Sequence, residues 1–182
     1  MRRCYLLSIQ ESTPLLSDDE INNIFYDYDL YLSNSFYIID KARKEYDENY
    51  RASDFKTHLE VLQKASSEGY TIVVKNMETY NSKIQKAANE LGIGTDVHLY
   101  LVFNKEGGDS FDWHVDDRAV WVKMISGQKI FSLRTQANET VFINMIKLKK
   151  NQSLYIGFNE HRATQMGPSA MLSFGLPNQV NV

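Results

Sequence analysis

The chain has 182 residues, of which 43% are hydrophobic and 24% charged, and its formal net charge is −3. This length suits one domain with its own core, and the weak negative charge gives no general attraction for nucleic acid or for an anionic membrane. A single cysteine leaves no internal disulfide and no cysteine-pair zinc motif, which favours a cytoplasmic location, and no apolar run reaches membrane-spanning length.

The first half of the chain predicts helices that alternate with short strands. Ser17 precedes three acidic residues and is typical of a helix N-cap, and Ser53 is placed to cap a second helix. Gly92 and Gly94 are expected to end a third helix. We therefore predict helices from about 18, from about 54 to 65 and from about 80 to 91, strands at 36–39 and 70–75, and a loop at 41–51.

From residue 96 onward the pattern changes to closely spaced short strands. Eight short strands within about 80 residues predict an antiparallel barrel or jelly roll. The fold class is therefore mainly β with N-terminal helices, in a single domain 1–182 whose mixed lead-in, 1–95, packs on a β core, 96–182. The eight strands are expected at 98–103, 113–115, 119–125, 129–133, 141–148, 153–156, 161–165 and 171–176.

The β-rich part of the sequence also predicts a metal site. His114 and Asp116 are two residues apart in the predicted strand 113–115, so both side chains would project from the same face. An imidazole and a carboxylate presented together form two thirds of a 2-His-1-carboxylate triad, which leaves three positions of an octahedral Fe(II) open. His161 is the best candidate for the third ligand. Standing alone, the His-x-Asp pattern would also fit a surface pair beside a turn.

The segment 114–131 resembles the core of the JmjC-like cupin oxygenases, particularly their ribosomal-oxygenase branch. That family carries a His-x-Asp motif, a hydrophobic strand, a Gly-x-Lys/Arg turn and an aromatic residue two positions later. The matching positions are His114 and Asp116, residues 119–125, the turn Gly127-Gln128-Lys129, and Phe131. Two further segments match the family in the same order along the chain. The segment from Gly69 to the strand with Tyr100 precedes the His-x-Asp motif, and the block 153–176, which contains His161, follows it. The resemblance covers roughly 54–176 and implies a double-stranded β-helix of the cupin type.

The resemblance implies a role for each candidate residue. His114, Asp116 and His161 would hold Fe(II), and Lys129 would pair with the distal carboxylate of 2-oxoglutarate, because a buried lysine needs an anionic partner. Tyr100 would hydrogen-bond the same carboxylate. From the residues alone, Lys129 also fits a solvated lysine after a hairpin turn, and Tyr100 a core tyrosine.

The reaction implied is hydroxylation of an unactivated carbon with O2, while 2-oxoglutarate is converted to succinate. The substrate class left open is a free amino acid, a peptide or protein side chain, or a small metabolite; nucleic acid and membrane are not expected as partners. Two alternatives remain: a cupin metalloenzyme that does not use 2-oxoglutarate, and a non-catalytic cupin binding module.

Some positions depart from the family pattern. The turns 150–152 and 157–160 lack the family's usual Gly-Asp and Pro-x-Gly sequences, and we expect no counterpart of the C-terminal winged helix of the ribosomal oxygenases. Their ribosomal substrates are therefore not carried over. Trp113 and Trp121 beside the motif are expected to pack on the outer face of the barrel.

Overall fold

The computed structural model describes residues 6–7, 14–39, 54–109, 112–137 and 140–177. These residues are mainly β, with the helices towards the N-terminus, as the sequence predicts. The strands are β1 (Leu6–Leu7), β2 (Phe36–Ile39), β3 (Thr71–Val74), β4 (Asp96–Val102), β5 (Gly108–Asp109), β6 (Val120–Ser126), β7 (Gln128–Ala137), β8 (Thr140–Lys149), β9 (Ser153–Gly157), β10 (Glu160–Gln165) and β11 (Ser169–Gly175).

The strands form two antiparallel sheets that enclose a cavity. The large sheet has seven strands in the order β1-β9-β6-β11-β4-β3-β2, and the small sheet has four in the order β5-β10-β7-β8. Along the chain, the strands from β6 to β11 pass repeatedly between the two sheets. This is the winding of a double-stranded β-helix, so the predicted jelly-roll fold is confirmed.

Alternating side chains of the large sheet separate two cores. On β4, Leu99 and Leu101 belong to a core shared with the helices, whereas Tyr100 packs against the core between the sheets. On β6, Trp121 belongs to the core shared with the helices, and Val122 belongs to the core between the sheets. Trp121 therefore packs outside the barrel as predicted, and the side chains that line the cavity come from the inner set of positions.

The helices pack on the outer face of the large sheet. Ser17 caps the first of them with a capping box, because its hydroxyl accepts the Glu20 N–H at 3.1 Å while the Glu20 carboxylate accepts the Ser17 N–H at 2.7 Å. None of the helices in the described part of the chain is long and apolar enough to cross a membrane. The helices are α1 (Asp18–Asn23), α2 (Tyr28–Leu32), α3 (Phe55–Ser67), α4 (Met77–Tyr80) and α5 (Ser82–Leu91), with a 3-10 turn at Ile24–Tyr26.

Two of the predicted helices differ in detail from the structure. The segment predicted as one helix at 80–91 is divided, since Asn81 has extended backbone angles and its side chain accepts the N–H groups of Lys83 and Ile84. Asp54 caps α3 in the position expected for Ser53. Ser53 and the predicted loop 41–51 lie outside the described residues.

The N-terminal segment also supplies strands to the sheet. β2 pairs with β3, and β3 pairs with β4 through the partners Val73 and Tyr100. The large sheet is therefore wider than the small one, and β2 and β3 extend it to one side of the cavity between the sheets.

Candidate metal centre and adjoining cavities

The segment that carries His114 and Asp116 is not the strand that the sequence predicts. Only His114 makes a β-type contact there, a single bridge to His161, and the prediction of a strand at 113–115 is wrong. In this bridge the two histidines exchange backbone hydrogen bonds of 3.0 and 2.9 Å. The segment therefore reaches β10 for one residue pair and then leaves it, which places both histidines side by side.

A stacked side chain anchors this irregular segment. The Trp113 ring contacts two guanidinium groups on the outer face of the small sheet. That of Arg134 lies 4.2 Å from the ring centroid and that of Arg162 lies 5.1 Å from it. Arg134 is in turn held by Glu160 at 2.8 Å. The expectation that Trp113 packs outside the barrel is confirmed, and its neighbours explain how the motif is fixed without strand pairing.

The three predicted ligand side chains converge. The Asp116 carboxylate lies 3.8 Å from Nε2 of His114 and 3.6 Å from Nε2 of His161, and the ligand atoms of all three residues fall within 4.8 Å of one another. Two atoms that each bind one ion at about 2.1 Å are at most about 4.2 Å apart. Both histidine–aspartate distances are therefore short enough for a shared ion.

The hydrogen bonds of the histidines orient the remaining nitrogens towards that point. Nδ1 of His114 lies 2.7 Å from the Asp112 carbonyl oxygen, and Nδ1 of His161 lies 3.0 Å from that of Asn159. A carbonyl only accepts hydrogen bonds, so each Nδ1 carries the hydrogen and each Nε2 presents its lone pair. Burial lowers the pKa of His161, which favours the neutral imidazole that binds metals. Two imidazoles and one carboxylate with this orientation fit a divalent transition metal.

The cavity between the sheets extends from these residues to Lys129. It measures about 450 Å³ including its open mouth, and the side chains of the metal centre form part of its wall. Lys129 pairs with Gln165 of the neighbouring strand, β10. Gln165 follows His161 by four residues on that strand, so the backbone positions of Lys129 and His161 are about 13 Å apart along the strand direction. The cavity is also lined by Tyr100, Val120, Val122, Phe131, Ile156, Ala163, Met171 and Ser173.

Lys129 is buried, with 2% of its surface exposed, so it is not the solvated lysine that a hairpin turn would also have explained. Burial lowers the pKa of its ammonium to about 8, and no carboxylate in the described part of the chain forms an ion pair with it. Tyr100 lies beside it, with the ammonium 5.9 Å from the ring centroid. The cavity is thus lined by a positive charge, that of Lys129, and, at a different position along the strands, by the three ligand side chains.

Sequence reasoning missed other side chains near this centre. Lys75 and His98 line a second chamber that adjoins His114 and Asp116. Strand alternation could have indicated both residues. Lys75 follows Val73 by two residues and His98 precedes Tyr100 by two, so each lies on the same face of the sheet as its neighbour in the pair Val73–Tyr100. Arg118 is engaged by the Asp96 carboxylate at 2.8 Å and that of Asp117 at 3.4 Å.

No family model and no curated protein sequence matches the chain. Among solved structures, a crystal structure of the Escherichia coli ribosomal oxygenase YcfD is similar with a TM-score of 0.63 at 13% identity, covering 98% of this chain and 49% of that one. A structure of YcfD in complex with cobalt and 2-oxoglutarate gives a TM-score of 0.60 at 14% identity with the same coverage. The chain thus spans about half the length of these structures. Similarity at this identity shows a shared fold, and it confirms the resemblance at that level.

Proposed function

We propose that the protein is an Fe(II)- and 2-oxoglutarate-dependent oxygenase that hydroxylates an unactivated carbon of a small molecule or a peptide. The observation that carries the proposal is the convergence of His114, Asp116 and His161 on one point at the wall of a cavity. The same cavity holds a buried lysine, Lys129, that forms no ion pair with any residue the structure describes. The binding of cobalt and 2-oxoglutarate by YcfD, a protein of the same fold, supports it.

The three ligand side chains would occupy one face of the metal. Two neutral imidazoles and one carboxylate leave three positions for the keto acid and O2, and a bound Fe(II) would supply the oxygen activation that protein side chains do not provide. Asp116 favours hydroxylation, because related halogenases lack this carboxylate and bind chloride in its place. The backbone carbonyls that fix Nδ1 of both histidines keep the donor atoms oriented.

Lys129 would bind the distal carboxylate of 2-oxoglutarate. Its ammonium is desolvated, and an anionic partner within the cavity would compensate its charge. The surrounding apolar side chains Val122, Phe131 and Ile156 exclude water and strengthen that pairing. Tyr100 lines the same cavity and would donate a hydrogen bond to the same carboxylate.

The test is an anaerobic titration of the purified protein with Fe(II) and then with 2-oxoglutarate, followed by visible absorption. We expect a charge-transfer band that saturates at one equivalent of 2-oxoglutarate. The Asp116→Ala protein should bind Fe(II) at least about tenfold more weakly. The Lys129→Met protein should keep the metal and lose the band at the same concentrations.

The two alternatives give different results in this titration. Tight Fe(II) binding without the band would reject the cosubstrate and favour a cupin metalloenzyme of another kind. Failure of the folded protein to bind Fe(II) stoichiometrically would reject the enzyme and favour a binding module.

A further inference from the structure

A second chamber lies beside the metal centre, under the part of the large sheet that extends past the small one. It measures about 620 Å³ including its open mouth, and His114 and Asp116 form the wall that it shares with the metal centre. The chamber is also lined by inner-face residues of the large sheet. These are Tyr37 of β2, Lys75, which directly follows β3, and His98 of β4. A molecule bound here would contact the proposed metal ligands directly.

The chamber contains an ammonium group, that of Lys75, that forms no ion pair in the described part of the chain. The Lys75 ammonium lies 3.6 Å from the centroid of the Tyr37 ring, and within the described ranges it forms no ion pair. Both residues are half-buried. The ring holds the ammonium by a cation–π contact, which fixes its position without neutralising its charge.

Asp116 in the chamber wall is a proposed metal ligand, and the two acidic side chains near His98 are engaged in other contacts. The Asp96 carboxylate accepts a hydrogen bond from Arg118 at 2.8 Å and lies 3.4 Å from Nε2 of His98. The Glu78 carboxylate accepts the backbone N–H of Val97 at 2.8 Å. Among the described residues that line this chamber, Lys75 is therefore the lysine that remains available to an incoming anion.

The protein thus places one lysine on each side of the same three ligand side chains. Lys129 is buried in the cavity between the sheets, whereas Lys75 is half-buried in the second chamber. A buried site suits a small cosubstrate that is the same in every reaction cycle, and a more accessible site suits the substrate. The two cations would then bind two different anions.

We propose that this second chamber is the substrate site, and that Lys75 binds a carboxylate of the substrate while the carbon to be oxidised faces His114 and Asp116. The proposal rests on the proposed oxygenase function and deepens it by assigning the substrate a negative charge. His98 and Tyr37 supply polar contacts around the bound carboxylate. The carboxylate belongs either to a small organic acid or to an acidic side chain of a peptide.

Binding is tested on the metal-free full chain with N-acetylglycine as the probe and N-acetylglycinamide as its uncharged match, followed by backbone NMR shifts. We expect N-acetylglycine to shift the signals of residues 73–75 and His98. Replacing the carboxylate by the amide, or Lys75 by Met, should weaken binding by about tenfold or more, because a charge-assisted hydrogen bond is lost. Lys56→Met, a change at an exposed lysine, is the control and should leave binding unchanged.

Three results would overturn the proposal: equal binding of acid and amide, unchanged binding in Lys75→Met, or shifts confined to Lys129 and its neighbours. A second arm replaces the probe with acetyl-Ala-Asp-Ala-amide. Binding of this peptide that depends on Lys75 and exceeds that of N-acetylglycine assigns a peptide substrate, and the reverse order assigns a small acid.

The experiment separates failure of this proposal from failure of the proposed function. Lys75-dependent anion binding without the charge-transfer band would leave the chamber as an anion site and reject the oxygenase. The band together with no Lys75-dependent binding would support the oxygenase and reject the substrate assignment.

Discussion

His114 and His161 each donate the backbone N–H to the carbonyl oxygen of the other, at 3.0 and 2.9 Å, and their ring centroids lie 4.4 Å apart. The backbone of two distant segments is therefore joined at the residues that carry the imidazoles. Because this bridge is made by the backbone, the fold itself brings the two residues that carry the imidazoles next to each other.

Asp116→Ala should reduce the affinity for Fe(II) by at least about tenfold without unfolding the protein, since the half-exposed carboxylate is a ligand and not part of the core. Asp117→Ala is the matched control, because the neighbouring carboxylate is exposed and pairs with Arg118 at 3.4 Å. Calorimetric titration with Fe(II) under anaerobic conditions measures both. Equal losses in the two variants would contradict the assignment of Asp116.

The sequence predicted most strands because their signal is local. β-branched and aromatic residues with turn residues between them mark β4 and β6 to β11 within one or two residues at most ends, and the inner and outer faces follow from alternation. β7 is the exception, since the structure extends it well beyond the predicted end at 133. Motif order added the positions of the three ligand candidates.

What the sequence did not predict depends on contacts between distant segments. The His114 segment is fixed by Trp113, whose ring contacts one arginine of β7 and one of β10, and no local pattern reveals such contacts. The second chamber arises because β2 and β3 join the large sheet, which depends on pairing across more than 20 residues of sequence. Lys123 is buried with 1% of its surface exposed, although its local sequence indicates only a strand.

Lys129→Met should make the protein more stable in the absence of 2-oxoglutarate. Burial lowers the pKa of Lys129 from 10.5 to about 8, so the folded state is penalised for holding this charge. At pH 7 both folded and unfolded chains are protonated there, and the full penalty, at most about 3 kcal/mol, is removed by the methionine. Urea unfolding of the metal-free proteins measures the difference.

The pH dependence of this difference provides the control. Between pH 8 and 10.5 the unfolded chain retains the proton that the folded chain has released, so the stability of the wild type rises with pH through this interval. The advantage of Lys129→Met should shrink over the same range. A wild type that is more stable than the variant at pH 7 would show that Lys129 has a stabilising partner.

The affinity for 2-oxoglutarate should fall above pH 8, because the proposed partner of its distal carboxylate loses its charge there. For one linked proton, the dissociation constant rises about tenfold per pH unit above the pKa of the free protein. Lys129→Arg keeps its charge throughout this range, so any binding that it retains should show a flat profile. Calorimetry with Zn(II)-loaded protein from pH 7 to 9 distinguishes the two profiles, and parallel slopes would exclude Lys129 as the titrating group.

Gly127→Ala should destabilise the turn that leads into Lys129. Gly127 has φ +68, and a Cβ atom there would lie 2.3 Å from the Pro168 carbonyl oxygen and 2.8 Å from Cβ of Ser169. Gly94→Ala is the control, since Gly94 has φ +88 but an added Cβ meets nothing within 4 Å. Both variants carry the backbone strain, about 1 kcal/mol, and only Gly127→Ala adds the clash, so its thermal midpoint should fall clearly further. Equal midpoints would contradict the close approach of Pro168.

Trp113→Leu should weaken metal binding although Trp113 is not a ligand. The ring fixes the segment beside His114 through its contacts with Arg134 and Arg162, and without it that segment retains mainly the backbone bridge to His161. We expect a loss of about tenfold in Fe(II) affinity, typical of groups that orient a ligand. Trp113→Phe keeps an aromatic face for the guanidinium groups and should restore most of the affinity, which a loss of general stability would not explain. If both variants bind Fe(II) like the wild type, the His114–His161 bridge alone is sufficient to position the motif.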